Sequence, residues 1–396
     1  MIREQIIRSF RQLTPAVLDP SRPIVTLFSG GLDSTYLLLR LKQAGFRDIH
    51  AVSVNLGEDE SSEHKQRIAD ELGARLHIID GRQAFVEEFV RPAIAAQAVY
   101  LDTHPISSTL SRPLIARLAV GLAEELGAVA ILHTANRSQN TLRRLNGALA
   151  LLGFSGPYGS PYDLDPVDRD QKIQELKAVG LDQMSERIVS GDSNLWCREF
   201  ESGILDDPED HAVPEHMYQW SARQPELSGE TLEVHFREGV PVSVDGVDMP
   251  LPELIAALNT RVGAYGIGRY SGLEHLDNGE KVLEIREMPA AWLLLRTYRH
   301  LETAVLEAET MREKMHLEQL WVRESLEGRW FGELHQALQS FIDTCAVRVT
   351  GYVRWKLTPG GAETRSITAD EPRYLRDREA WEKFSIHIEN APYQLV

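Results

Sequence analysis

Residues 29–35 read Ser-Gly-Gly-Leu-Asp-Ser-Thr and follow directly on the apolar run Ile24 to Phe28. A short, β-branched run of that kind is a strand buried on both faces. The next residues, Thr35 to Leu41, read as a helix that stops near Gly45. The turn between them suits an anion. Gly30 and Gly31 let the chain reverse without Cβ clashes and bring backbone N–H groups close to a ligand. A helix opening at Asp33 offers unpaired N–H groups and the positive end of its dipole. Ser29, Ser34 and Thr35 add hydroxyls, and Asp33 can hold a backbone amide or approach a magnesium ion. The pattern points to phosphate or pyrophosphate, against an ordinary strand–turn–helix with an Asp or Ser cap. The turn has neither the lysine of a GxxxxGK[ST] loop nor the GxGxxG spacing of dinucleotide sites.

The elements that must position this turn alternate. A strand at His50 to Val54, a helix at Ser62 to Leu72, a strand at Arg75 to Ile79, a helix at Ser111 to Leu126, a strand at Ala128 to Leu132 and a helix at Gln139 to Leu152 follow in order. That order predicts an α/β fold with a parallel, Rossmann-like nucleotide-binding sheet and helical crossovers. After about residue 185 the pattern changes. Leu232 to Phe236 alternates as a strand with one wet face, Asp245-Gly246 marks a hairpin turn, and Ala291 to Trp321 reads as mostly helical. Asn194 to Asp210 shows little clear periodicity. The expected organisation is an ATP-binding unit at 1–185, an α+β substrate and oligomerisation unit at 186–370, and a short tail at 371–396.

The chain has 396 residues, with 59 Asp plus Glu against 42 Lys plus Arg, a net charge of −17. A phosphate backbone wants a basic footprint, so general nucleic-acid binding is disfavoured. No apolar stretch is long enough for a membrane span and the N-terminus has no signal-peptide core, which predicts a cytoplasmic location and no membrane partner. Cys197 and Cys345 are too far apart for a metal spacing and read as reduced, buried thiols. No metal ligand is assigned.

The sequence Ser-Gly-Gly-Leu-Asp-Ser after a buried strand resembles the pyrophosphatase-loop ATP enzymes, which adenylate a substrate and release pyrophosphate. The remainder resembles argininosuccinate synthase. Tyr100 to Ile115, with its Ser107-Ser108-Thr109-Leu110-Ser111-Arg112-Pro113 core, is similar to that family's Y…YPLGTSLARPLI segment. Ser190 to Trp196 resembles S.DENLWG, and Glu201 to Pro208 resembles E.G.LEDP. Gly266-Ile267-Gly268-Arg269 with Glu274, and Val349 to Leu357, follow its GxGR…E and VTGxVRxKL runs. The resemblance implies ATP and Mg2+ as cofactors. It implies an ATP site of Phe28, Ser29, Gly30, Gly31, Asp33, Ser34, Thr35 and Ser53. Tyr100, Ser108, Gln139, Asn140, Arg143, Ser190, Glu199, Glu201, Glu274 and Arg286 fall to the amino-acid-like substrates. Asp33, Ser34 and Arg112 serve the reaction, Arg112 by positioning anions or bracing the site. A homo-oligomer, dimer or tetramer, is implied as well.

The departures concentrate on the amino-acid side. The family's GKGNDQ loop becomes Ala135 to Thr141, with Gln139 and Asn140, or Asn140 and Thr141, at the Asn-Asp pair. Either register removes a negative charge. Glu199 stands where the family has serine, Arg286 where it has tyrosine, and Asn55-Leu56-Gly57-Glu58 replaces a DxGQ element. The C-terminal text is reduced to Tyr374-Leu375-Arg376-Asp377. An intact ATP site beside altered substrate text favours an AMP- and pyrophosphate-forming C–N ligase with changed substrates. The alternative is a genuine argininosuccinate synthase in which Glu199 and Arg286 pair with each other. A non-catalytic ATP-binding scaffold and a tRNA-modifying enzyme are the readings from other classes.

Overall fold

The computed structural model describes residues 6–57, 62–181, 190–276 and 279–386. Its first half alternates as the periodicity predicts. β1 (Ile6–Ile7) and β2 (Ile24–Leu27) precede α1 (Leu32–Gln43), β3 (Ile49–Asn55), α2 (Ser62–Leu72) and β4 (Ala74–Asp80). α3 (Arg82–Phe85) runs through a π-helical turn at Val86–Val90 into α4 (Arg91–Ala95), and a small hairpin follows as β5 (Val99–Tyr100) and β6 (His104–Pro105). Then come α5 (Ser108–Leu126), β7 (Ile131–Leu132), α6 (Thr141–Leu151), β8 (Tyr158–Gly159) and α7 (Arg169–Lys177). The sheet order is β1-β8-β7-β2-β3-β4, and every pairing is parallel. From β2 the chain moves one way to β3 and β4, then crosses to β7 on the other side. The strand order therefore reverses at β2, and ligands of open α/β sheets bind outside the carboxyl ends of the strands at such a point. The glycine turn sits there.

The second half is α+β, as expected, and its strands are more numerous than the sequence pattern suggests. β10 (Arg198–Glu201) lies in the stretch that shows little periodicity and β9 (Ser190–Ser193) just before it, because a four-residue strand is too short to display one. β11 (Glu230–Arg237), β12 (Val240–Val244) and β13 (Val247–Asp248) confirm the expected alternation and hairpin. α8 (Leu251–Gly263), β14 (Arg269–His275), β15 (Lys281–Glu287) and α9 (Pro289–Val305) follow. The single helical run expected to Trp321 is two helices, α9 and α10 (Ala308–Leu326), broken where Leu306 turns extended. The break lets α10 fold back so that buried Lys314 meets Glu302 at 2.8 Å. α11 (Glu333–Ala346), β16 (Gly351–Thr358), β17 (Gly361–Ala369) and α12 (Arg378–Ile386) complete the chain, α12 falling within the expected tail. The sheets are β14-β15-β10-β9 and β13-β12-β11-β16-β17.

The largest apolar cluster joins both halves: Phe85, Phe89 and Ile94 pack with Trp196, Leu254, Leu294 and Trp321. The 185/186 boundary and Glu58 lie outside the described residues. Among the described residues no helix is long and apolar enough to cross a membrane.

Candidate active site

The glycine turn closes on itself through its hydroxyls. Ser29 Oγ lies 3.2 Å from Ser34 Oγ and accepts the Gly31 N–H, while Ser34 Oγ donates to the Gly31 carbonyl at 3.1 Å. Gly30 has φ +76°, a backbone conformation that favours glycine, and a Cβ there would lie 3.0 Å from Lys65 Cγ, so that side chain would have to shift. Thr35 is buried with its hydroxyl unpaired. The Phe28 side chain belongs to the core, leaving only its backbone at the turn. Ser53, on β3, accepts from Lys65 Nζ at 3.0 Å.

A second feature is a cleft of about 410 Å3, lined by β5, β6, the start of α5, α6, β14, β15 and α10. Strand pleating explains its polar wall. Glu199 pairs in register with Arg286 and Glu201 with Glu284; Tyr270 also pairs with Arg286 and Gly272 with Glu284. The period of two therefore puts Glu199, Glu201, Glu284, Arg286, Tyr270 and Glu274 on one face of the sheet. Phe200, Leu283 and Ile285 occupy the other and form a small apolar cluster with Leu205. Loop 133–140 connects cleft and turn. β7 pairs with β2, so this loop leaves the sheet beside the turn and delivers Asn140 to the cleft.

Inside the cleft, Asn140 Nδ2 donates to the His275 carbonyl at 2.9 Å and to Glu274 at 3.3 Å. Its Oδ1 is buried and unpaired. Arg144 is 3% exposed; it donates to Ser108 Oγ at 3.2 Å and lies 3.5 Å from Glu274, with its Nε unpaired. A buried, unmatched acceptor and donor cost free energy unless a ligand completes them. Tyr100 Oη lies 2.9 Å from His275 Nδ1, and burial raises the Tyr100 phenol pKa. His104, also in the wall, is held neutral: burial and the nearby Arg286 push its pKa down to about 2.

Arg286 lies among carboxylates rather than presenting a free charge. Its guanidinium bonds Glu199 at 2.7 Å, Glu284 at 2.7 Å and the Pro105 carbonyl at 3.1 Å. Glu199 also accepts the Ser108 N–H at the start of α5. Burial pushes the Glu284 carboxyl up to about 8, against the pull of Arg286 and with help from Glu199. This folded-state pKa lies above the ordinary 4.5, so the stability linked to that proton is full below about pH 4.5 and lost as pH rises through 8. Urea unfolding at pH 5 and pH 8.5 should show a larger drop for the parent than for Glu284→Gln. Equal drops would remove Glu284 as the cause.

The structure brings Tyr100, Ser108, Asn140, Arg143, Glu274 and Arg286 together around the cleft. Glu199 stands behind Arg286. Glu201 shares their sheet face, and burial raises its carboxyl pKa. Ser190 is the register partner of Glu201 on β9. Gln139 departs from expectation. It is exposed, and its amide oxygen accepts the Asn136 N–H within its own turn, so of the loop residues named for the Asn-Asp pair Asn140 is the one that lines the cleft. Arg143 reaches towards α10 and donates to the Leu326 carbonyl, whereas Arg144 points to the centre. Helix phase could have found this, since Asn140 and Arg144 are one turn apart. Arg112 pairs with Asp192 on β9. Cys197 is fully buried with its thiol pKa raised by burial, the reverse of an activated nucleophile. Asn194 caps the β9–β10 turn by accepting the Trp196 and Cys197 N–H groups and ties it to Ser107.

Residues 23–151 match the family model described as the arginosuccinate synthase N-terminal HUP domain, and residues 189–383 the one described as its C-terminal domain. The argininosuccinate synthase of Oceanobacillus iheyensis is 34% identical over 91% of this chain and 87% of its own length. The chain belongs to the argininosuccinate synthase family. The argininosuccinate synthases of Rubrobacter xylanophilus, 32% identical over 93% of this chain and 91% of its own, and Brevibacillus brevis, 35% identical over 89% and 85%, agree. Membership makes the chain an enzyme of ATP-dependent ligase type, with a nucleotide-binding HUP sheet. The scaffold and tRNA-modification readings fall away.

Proposed function

We propose that this chain is an AMP- and pyrophosphate-forming C–N ligase. It activates a ureido oxygen for attack by an amino-acid amine, with citrulline and aspartate as the substrate pair. Every one of the curated relatives named above is an argininosuccinate synthase, which favours this pair over the changed substrates that the sequence departures suggest. The charge balance of the cleft supports it. Arg286 and Glu199 cancel, so the two substitutions leave the wall as neutral as a serine and a tyrosine would. The observation that carries the reading is the unmatched pair in the cleft. The unmatched Asn140 Oδ1, with the Glu274 carboxylate held at its Nδ2 in the same wall, suits an ammonium, and the Arg144 guanidinium suits a carboxylate. Together they fit the two ends of an amino acid.

In this scheme the ureido oxygen attacks the α-phosphorus of Mg-ATP and pyrophosphate departs from the turn at residues 29–35. The amine nitrogen then forms a bond to the activated carbon, AMP leaves with the former ureido oxygen, and the nitrogen loses a proton. Holding both partners together supplies much of the acceleration. No side-chain nucleophile is required. Asp33 is the one carboxylate of the turn, so magnesium is read as arriving on ATP, shared with the phosphate oxygens. The units 1–185, 186–370 and 371–396 are inferred as ATP-binding, substrate-binding and tail. A cytoplasmic setting fits two buried free thiols, and a homo-oligomer fits the exposed Trp381 and Phe384 of α12.

A second reading, a changed substrate, draws on Leu101, Ile106, Leu276, Leu320 and Leu326, which give the cleft an apolar side with room for a bulkier partner. Labelled ATP with citrulline and aspartate separates the two. The expected result is argininosuccinate with one AMP and one pyrophosphate per product. ADP and phosphate would overturn the ligase mechanism, and pyrophosphate release only with another ureido or carboxyl compound would favour the second reading.

A further inference from the structure

The glycine turn carries no lysine, yet the fold brings one to it. Lys172, on α7, is 139 residues from Asp33 in sequence, and its Nζ lies 2.6 Å from Asp33 Oδ1. Its side chain is 11% exposed, and its ammonium lies 5.4 Å from the centre of the Tyr162 ring. The same Tyr162 donates its hydroxyl to the Asp33 carbonyl at 2.9 Å. Asp33 is thus held twice, by its backbone through Tyr162 and by its carboxylate through Lys172. On the other flank, Lys65 of α2 packs over Gly30 and donates to Ser53.

A bare carboxylate is a poor neighbour for a polyphosphate. Two like charges a few ångströms apart near a protein surface repel strongly. Lys172 removes that problem by cancelling the charge of Asp33 where an anion would sit. We propose that Lys172 is a positioning and charge-balancing residue of the pyrophosphate site, supplying from α7 the cation that the turn itself lacks. The proposal rests on reading residues 29–35 as the site of the ATP phosphates. It differs from a plain surface ion pair in three respects. The lysine is largely buried, its partner is a residue of the turn, and the same partner's backbone is fixed independently by Tyr162.

The test is binding of inorganic pyrophosphate by titration calorimetry, with adenosine as the ligand for the nucleoside end. The parent protein should bind both. Lys172→Met should weaken pyrophosphate about tenfold or more while adenosine is unchanged, the loss expected for one charge-assisted contact. Lys172→Arg should stay within about threefold, since it keeps the charge on a different head group. Asp33→Asn combined with Lys172→Met should recover much of the lost affinity, because the repelling carboxylate is gone; a merely structural lysine would not be rescued this way. Lys172→Gln gives a second neutral variant if the methionine protein does not fold. Equal pyrophosphate affinity in the parent and the neutral variants, or no recovery in the double variant, overturns the role of Lys172. A parent protein that binds adenosine but no pyrophosphate overturns the phosphate reading of the turn itself.

Discussion

Arg144→Met is expected to lower kcat/KM for the amino-acid substrate by about 10²–10⁴ while leaving the KM for ATP close to the parent value. The guanidinium is buried at the centre of the cleft, shares Ser108 and Glu274, and keeps one N–H unmatched. A substrate carboxylate placed there would gain charge-assisted hydrogen bonds of about 1.5–3 kcal/mol each, and two of them lost correspond to the stated range. Arg144→Lys should recover little, because an ammonium lacks the planar fork that binds a carboxylate through two N–H groups. Steady-state kinetics with citrulline varied at saturating Mg-ATP and aspartate, and then with ATP varied, decide the matter. An unchanged KM and kcat for the amino acid would remove Arg144 from the site. A parallel rise in the KM for ATP would mean that the substitution disturbs the whole edge of the sheet.

Arg286→Met should destabilise the fold by about 3–5 kcal/mol, as breaking a buried ion pair from one side does. Arg286 is 3% exposed, and Glu199, Glu284 and the Pro105 carbonyl all take hydrogen bonds from it. Its removal leaves two carboxyl groups in a low-dielectric wall without their cation. Glu199→Ser with Arg286→Tyr removes one charge of each sign together and should be far less costly, since replacing a buried pair as a unit is often neutral. Urea unfolding at pH 8.5, where Glu284 is ionised to the greatest extent, gives the clearest contrast. A loss below about 1 kcal/mol for Arg286→Met would show that water reaches the cluster and that the charges are not buried as the structure has them. The same double variant also reports on function. If the Glu199–Arg286 pair is only a neutral substitute for smaller groups, citrulline turnover survives the exchange.

Much of the proposed phosphate site was legible as a local pattern before any tertiary contact was known. Gly30 and Gly31 between a β-branched strand and a helix are a local pattern, and the conformation at Gly30 is set by its own backbone. The alternation of strands and helices to residue 151 is local too, because hydrophobic period and crossover length declare it. The boundaries were less so. The expected strand at Ala128 to Leu132 is assigned only at Ile131–Leu132, although the Val129 N–H already donates to the Pro23 carbonyl and the Ala130 carbonyl accepts the Val25 N–H, and α5 starts at Ser108, ahead of its Arg112-Pro113 marker. The family resemblance rested on runs of adjacent residues, which need no fold to be read.

The substrate side was legible only as residue types. Sequence alone named Glu199 and Arg286 as a changed charge pattern, and left open whether they faced a ligand or each other. β10 and β15 lie 87 residues apart at that pair and meet in antiparallel register, which is what places one charge on the other. Asn140 and Arg144 meet Glu274 across 134 and 130 positions, and Lys172 reaches Asp33 across 139. Local propensity and turn chemistry act over a few residues, so the sequence by itself determined the glycine turn, the parallel sheet and the family. Which side chains neutralise one another and which remain unmatched depends on strand register, helix phase and loop closure over long separations. Only the tertiary structure decided those, because a buried charge acquires its meaning from the partner that the fold sets beside it.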